Sequence, residues 1–209
     1  MVITHHGGQC FKVSFGDITL AFDPPSKVSK LPNKVRFGAD VAFVSRYHPD
    51  FNGTEEVGSN DKKAFEISGP GEYEVGGITA FGFLSKSQYD DDGVNTIYAL
   101  TLEDMNICFL GALSDTTLPH DAREALDEID ILFVPVGGDG VLTPSEAGKL
   151  ATSLEPKIII PMHWSGMGQK DALADFLKEQ GDATQTVDKL TIKKKDLVGL
   201  DSAIMVVTP

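Results

Sequence analysis

The stretch Val41-Ala42-Phe43-Val44-Ser45-Arg46-Tyr47-His48-Pro49-Asp50-Phe51-Asn52 constrains this chain more than any other. It begins as a continuous apolar run, the pattern of a strand buried on both faces. The run stops at Ser45, and Arg46, His48, Asp50 and Phe51 follow in what reads as a loop. A loop at the end of a buried strand holds its side chains on a rigid base, which suits binding and catalysis. His and Asp are also donors that a borderline divalent metal accepts.

Strand signals fill the first half. Val2-Ile3-Thr4 leads into the turn at His6-Gly7-Gly8, and 10–15 alternates before the hairpin turn Gly16-Asp17 and the run 18–22. Asp23-Pro24-Pro25 ends that section, and 26–38 reads as loop. Residues 64–67 and 77–84 read as strands around the turn-rich Gly69-Pro70-Gly71, and 97–102 with 105–110 as a hairpin around Glu103-Asp104. Then the period changes. Residues 119–126 are expected as a short helix, 130–136 as a buried strand, and 143 onward as a helix opened by a capping box of Thr143 and Glu146 with Pro144 at its first position. Lys157–Met162 reads as a strand delivering His163 and Trp164. Residues 171–178 have one apolar face, and 188–194 and 202–207 are expected as closing strands. There are no long linkers or repeats, so 1–209 is read as one domain. Strands, then alternating helix and strand, then strands again, imply two facing sheets with helices outside, an α/β arrangement distinct from a doubly wound sheet.

Several motifs together resemble the metallo-β-lactamase superfamily, in particular its lactonase-like branch typified by ascorbate-6-phosphate lactonase. They are Ile3-Thr4-His5-His6-Gly7-Gly8-Gln9-Cys10-Phe11, Asp23-Pro24, the Gly-Pro-Gly-Glu-Tyr-Glu-Val stretch from Gly69, Pro135-Val136-Gly137-Gly138, and Pro161-Met162-His163. The resemblance implies the four-layer αβ/βα sandwich and a hydrolase that works through two metals. It also implies a ligand set. The first metal would take the positions of Arg46, His48 and Ser87, and the second those of Asp50, Phe51 and His163. Ala112 stands where the bridging Asp belongs, and Gly8 where the opening motif carries a His. Only His48, Asp50 and His163 can still ligate.

The chemistry of such a site depends on metal-bound water, whose pKa falls from about 15.7 to about 7. Arg46 places a fixed cation where a ligand belongs, which repels a second cation. A guanidinium also matches a carboxylate, so Arg46 is expected to lie in the cavity and pair with Asp50. Two functions remain open. One is a binding or regulatory module without the usual dinuclear centre. The other is a hydrolase of a lactone, ester or phosphate-bearing substrate, using one zinc or manganese held by His48, Asp50 and His163, with Asp50 catalytic. Each of the three also has a plainer reading, as a hydrogen-bonded loop histidine, a loop-capping carboxylate and a polar relic beneath Trp164.

Other constellations are weaker. Ser87, Ser114 and His163 lack a Gly-x-Ser-x-Gly elbow. Gly137-Gly138-Asp139-Gly140 lacks the dinucleotide spacing. Asp90-Asp91-Asp92 reads as a solvated loop and Lys193-Lys194-Lys195 as a solvated strand end. A net charge of −13 disfavours nucleic acid and anionic membranes as partners, leaving a small molecule or a protein. Cys10 and Cys108 each lie in an apolar run and read as buried free thiols. No apolar run approaches the roughly 18 residues of a membrane span and no signal-like start is visible, so a cytoplasmic protein is expected.

Overall fold

A computed structural model describes residues 1–32, 35–58, 62–90, 93–181 and 184–209. In chain order the strands and helices are β1 (Val2–His5), β2 (Phe11–Phe15), β3 (Ile18–Phe22), β4 (Val41–Val44), β5 (Phe65–Ser68), β6 (Gly71–Val75), β7 (Ile78–Lys86), β8 (Val94–Leu102), β9 (Met105–Phe109), α1 (His120–Ala125), β10 (Ile131–Pro135), α2 (Pro144–Leu154), β11 (Ile158–Met162), α3 (Ala172–Gln180), β12 (Thr184–Val187), β13 (Leu190–Thr191) and β14 (Ala203–Val207). They form a six-stranded sheet, β13-β1-β2-β3-β4-β5, and an eight-stranded sheet, β12-β14-β11-β10-β9-β8-β7-β6. This is the two-sheet α/β sandwich that the order of elements implied.

The central motif behaves as its pattern demands. β4 is buried throughout and runs parallel to β3 on one side and β5 on the other. Val41 and Phe43 face the core between the sheets, while Ala42 faces the outer cluster with Val57 and Ala64. Phe22 stacks on Phe43 at 4.9 Å, and Phe22, Phe109 and Phe133 tie the two sheets together. Such rings dominate the apolar area that a core removes from water. α2 and α3 pack over the eight-stranded sheet in a second core that includes Leu150, Ala151 and Phe176. Over the six-stranded sheet the outer layer is thin, made by a 3-10 turn at Thr54–Val57 and neighbouring loop.

Local signals were followed closely at several ends. Thr143 caps α2 by accepting from the Glu146 amide, while Glu146 accepts from the Thr143 amide at 2.9 Å. Glu103 and Asp104 both take positive φ, 55° and 57°, which closes the β8–β9 hairpin. Two expectations need correction. β6 is a full strand over residues given no element after the turn-rich Gly69-Pro70-Gly71, because Tyr73 and Val75 are half-buried in alternation beyond Gly71 on an exposed sheet edge. Residues 188–194 are not one strand. β12 comes earlier, β13 is only two residues long, and a 3-10 turn spans Lys194–Leu197. The lysine run is therefore a turn, and Lys194 pairs with Asp130 at 2.7 Å.

β3 and β4 are parallel neighbours, as are β9, β10 and β11. Their C-terminal ends therefore lie at one edge of the sandwich. The loops after β4, β7, β9, β10 and β11 meet there.

Candidate functional site

The floor of this edge is built around Asp23 and Ser45. Asp23, in a left-handed conformation at the end of β3, is fully buried and accepts from the Ser45 amide and hydroxyl, both at 2.7 Å. Burial pushes its carboxyl up to about 7, against the pull of those bonds and the charge of Arg46. Ser45 in turn accepts from the Thr96 amide at 2.7 Å, which joins the two sheets. Gly111 closes against it. A Cβ there would stand 2.5 Å from the Ser45 Cβ, so the position requires glycine. Asn95 fixes the next residue by accepting from the Ala112 amide at 2.8 Å while donating to Leu110 O and Ser85 Oγ.

Above this floor sit the residues singled out by sequence. His48, Asp50, Phe51, Ala112 and His163 all reach one neighbourhood. Phe51, Ala112 and Val141 form an apolar cluster with Tyr89 and Met167 packed against it. The His48 ring lies 5.8 Å from Phe51, and the His163 ring 6.3 Å from Phe51. Tyr89 stands edge-on to both imidazoles at 5.2 Å, with interplanar angles of 86° and 84°. Its hydroxyl donates to Asp50 Oδ2 at 2.8 Å, and Ser29 donates to Asp50 Oδ1 at 2.5 Å. Desolvation and the Asp50 charge push the Tyr89 phenol well above its ordinary range, so it stays a donor.

The imidazoles are committed elsewhere. His48 Nδ1 accepts from the Asp50 amide at 3.2 Å, which leaves the ring proton on Nε2, 3.8 Å from Asp90 Oδ2. His163, with φ of 63°, is fully buried, and burial pushes it down to about 3 despite the Asp50 charge, so it is neutral. Gln9 Nε2 donates to its Nδ1 at 2.7 Å. Its Nε2 and Gln9 Oε1 are buried with no hydrogen-bond partner.

The remaining positions fall around this centre. Ser87 is buried and its hydroxyl accepts from the Tyr89 amide at 3.2 Å. Gly8, at φ of 61°, lies under Leu31 and Met167, and its carbonyl accepts from the His163 amide. Arg46 is 3% exposed, but its guanidinium runs toward β8 and donates to Val94 O at 3.3 Å. The expected pair with Asp50 is not formed. Asp50 is satisfied by two hydroxyls, and the Arg46 charge acts on Asp23 and Tyr89 instead. Asp91 and Asp92 lie outside the described residues. Sequence reasoning missed Tyr89, Ser29 and Gln9. Only Gln9 sat inside a recognised motif, at a position where the resembling pattern has Ser.

The model of the β-lactamase superfamily domain matches residues 2–163. The chain belongs to that superfamily. A metal-dependent hydrolase of the UPF0173 group from Listeria monocytogenes is 29% identical over 198 residues, covering 79% of this chain and 86% of the relative. A Thermotoga maritima structure, proposed as a Zn-dependent hydrolase of the metallo-β-lactamase superfamily, is 29% identical with a TM-score of 0.78, covering 99% of both chains. A metallo hydrolase from Ignicoccus hospitalis shares the fold at a TM-score of 0.65 and 14% identity, covering 100% of this chain and 95% of the other.

The names of these relatives imply a divalent metal. The side chains present do not fit one. Among the described residues no group of three His, Cys, Asp or Glu side chains is placed to hold a metal ion. The Tyr89 ring packs against both imidazoles, each Asp50 oxygen already accepts a hydroxyl, and His48 Nδ1 accepts from the Asp50 amide.

Proposed function

We propose that this β-lactamase superfamily member is a single domain whose dinuclear centre has been replaced by a seal, and that it acts as a binding or regulatory module. The observation that carries the reading is the apolar cluster of Phe51, Ala112 and Val141, two of which stand where the resemblance calls for ligands. An apolar cluster offers a cation no donor in exchange for its hydration shell. With no metal, water at this edge keeps its ordinary acidity and no hydroxide nucleophile forms at neutral pH. The net charge of −13 favours a small molecule or a protein as partner over nucleic acid or an anionic membrane. Cys10 and Cys108 are buried and unpaired, which supports a cytoplasmic setting. Among the described residues no helix is long and apolar enough to cross a membrane.

The test is the metal content of untagged protein, with turnover of lactone, phosphodiester and carboxyl ester substrates in added Zn²⁺ or Mn²⁺. Less than one metal per chain and no turnover above buffer are expected. Stoichiometric metal with turnover overturns the reading.

A second reading is favoured by the hydrolase names of the relatives and by the unpartnered Nε2 of His163. In it, one zinc or manganese is held by His48, Asp50 and His163, and the protein hydrolyses a lactone, ester or phosphate-bearing substrate. It requires Tyr89 to leave and His48 to turn.

A further inference from the structure

We propose that Tyr89 is a built-in occupant of this site, closing a latent cation position formed by Asp50 and His163. The inference rests on the reading that the native chain works without metal.

Three observations support it independently. The first is the position of the ring, which contacts Phe51 at 5.1 Å and both imidazoles at 5.2 Å while its hydroxyl takes the carboxylate. A phenol O–H supplies Asp50 with the positive end of a dipole where a cation would supply a charge.

The second is the way the segment is seated. Gln88 donates its amide to Gly140 O at 2.9 Å, and the Tyr89 amide is held by Ser87 Oγ. Gly140, at φ of 95°, touches this segment so closely that a Cβ would lie 2.5 Å from Tyr89 Cα and 2.6 Å from Gln88 O. Glycine is required there both by its backbone conformation and by the approach of the tyrosine segment. The two loops are thus shaped to each other, and the tyrosine is not a side chain that fell into an open cleft.

The third is what lies beneath. His163 Nε2 and Gln9 Oε1 are buried without partners, although leaving such a group unsatisfied costs about 1–3 kcal/mol. Turning the Gln9 amide over places Oε1 against Nδ1, moves the ring proton to Nδ1 and frees the Nε2 lone pair. A carbonyl holding the far nitrogen is the usual support of a metal-ligating histidine. The class of ligand is a borderline divalent cation, which accepts one imidazole and one carboxylate.

The experiment titrates Zn²⁺ alone into wild type, Tyr89→Ala, Tyr89→Phe and Gly140→Ala by calorimetry, with thermal melts alongside. Tyr89→Ala is expected to bind Zn²⁺ at least tenfold more tightly than wild type and to melt higher with Zn²⁺ present. Adding His163→Asn to that variant should remove both effects. Gly140→Ala keeps the phenol but displaces its segment, and should gain affinity in the same direction. Tyr89→Phe keeps the ring in place and should stay closed. If folded Tyr89→Ala and Gly140→Ala both remain as blind to Zn²⁺ as wild type, the occupant idea is overturned while the metal-free reading stands. If wild type itself binds Zn²⁺ tightly with its tyrosine intact, both are overturned. Should Tyr89→Ala fail to fold, Gly140→Ala and Tyr89→Phe carry the comparison.

Discussion

Tyr89 Oη donates to Asp50 Oδ2 at 2.8 Å, across 39 residues of chain. This bond connects the loop after β4 to the loop after β7, so it serves both the site and the stability of the edge. A hydrogen bond to a charged acceptor is worth about 1.5–3 kcal/mol. Tyr89→Phe removes the hydroxyl and leaves the ring, and is expected to lose about that much in a urea unfolding titration. An unchanged midpoint with an unchanged slope would show that the bond contributes nothing.

Metal removal should be without consequence. A ligand bound only by the folded state raises the melting temperature by mass action, and its removal lowers it. Here the Asp50 carboxylate is already satisfied by Ser29 and Tyr89. Dialysis of the native protein against excess EDTA is expected to leave its melting temperature unchanged. A fall of several degrees, reversed by Zn²⁺, would place a structural metal in the chain.

Asp23 gives the edge a pH dependence with a definite sign. Its carboxyl is pushed from an ordinary 3.8 to about 7 in the folded protein. The folded state therefore holds this proton more tightly than the unfolded state. The associated stability is complete below about pH 4 and is lost as the pH rises through 7. The slope is at most about 1.4 kcal/mol per pH unit. Asp23→Asn still offers an oxygen to the Ser45 amide but carries no titrating proton. Unfolding titrations from pH 4 to 8 should show this decline in wild type and a flatter profile in the variant. Equal slopes would remove Asp23 as its source.

How much of this was legible beforehand differs between fold and site. The apolar run 41–44, the cap at Thr143 and Glu146 and the hairpin at Glu103-Asp104 are local signals, and each element formed where its signal lay. The edge strand β6 was obscured by its Gly-Pro-Gly opening, and the 188–194 run broke because Asp196 caps a turn at Lys193. The convergence of His48, Asp50 and His163 was what the superfamily resemblance implied. Their partners were not. Tyr89 and Ser29 are chosen by distance in space, from loops with no periodic or motif signal, and Gln9 stands inside a motif at a position where the resembling pattern has Ser. Arg46 reaches the Val94 carbonyl of β8, while Asp50 takes its hydrogen bonds from Ser29 and Tyr89, a choice of partners that no pairwise charge argument reveals.

The same geometry decides what restoring the missing ligands would achieve. Arg46→His, Phe51→His, Ser87→His and Ala112→Asp together supply the donor types that the superfamily resemblance calls for. On donor count alone, the combined variant should regain two metals. Two features oppose this. Tyr89 still packs against both His48 and His163 and still occupies Asp50, and a carboxylate at position 112 is introduced into the apolar cluster that holds Val141. Phe51 is fully buried, and its replacement by a smaller polar ring opens space in the apolar cluster at a cost of order 3 kcal/mol. The quadruple variant is therefore expected to be destabilised and to retain less than two metals through gel filtration, read by elemental analysis on protein shown to be folded by circular dichroism. Adding Tyr89→Ala should raise its metal content, because the carboxylate and the His163 edge are then exposed to the cation. Two metals retained by the quadruple variant with Tyr89 in place would show that donor count, not the tyrosine, keeps this site closed.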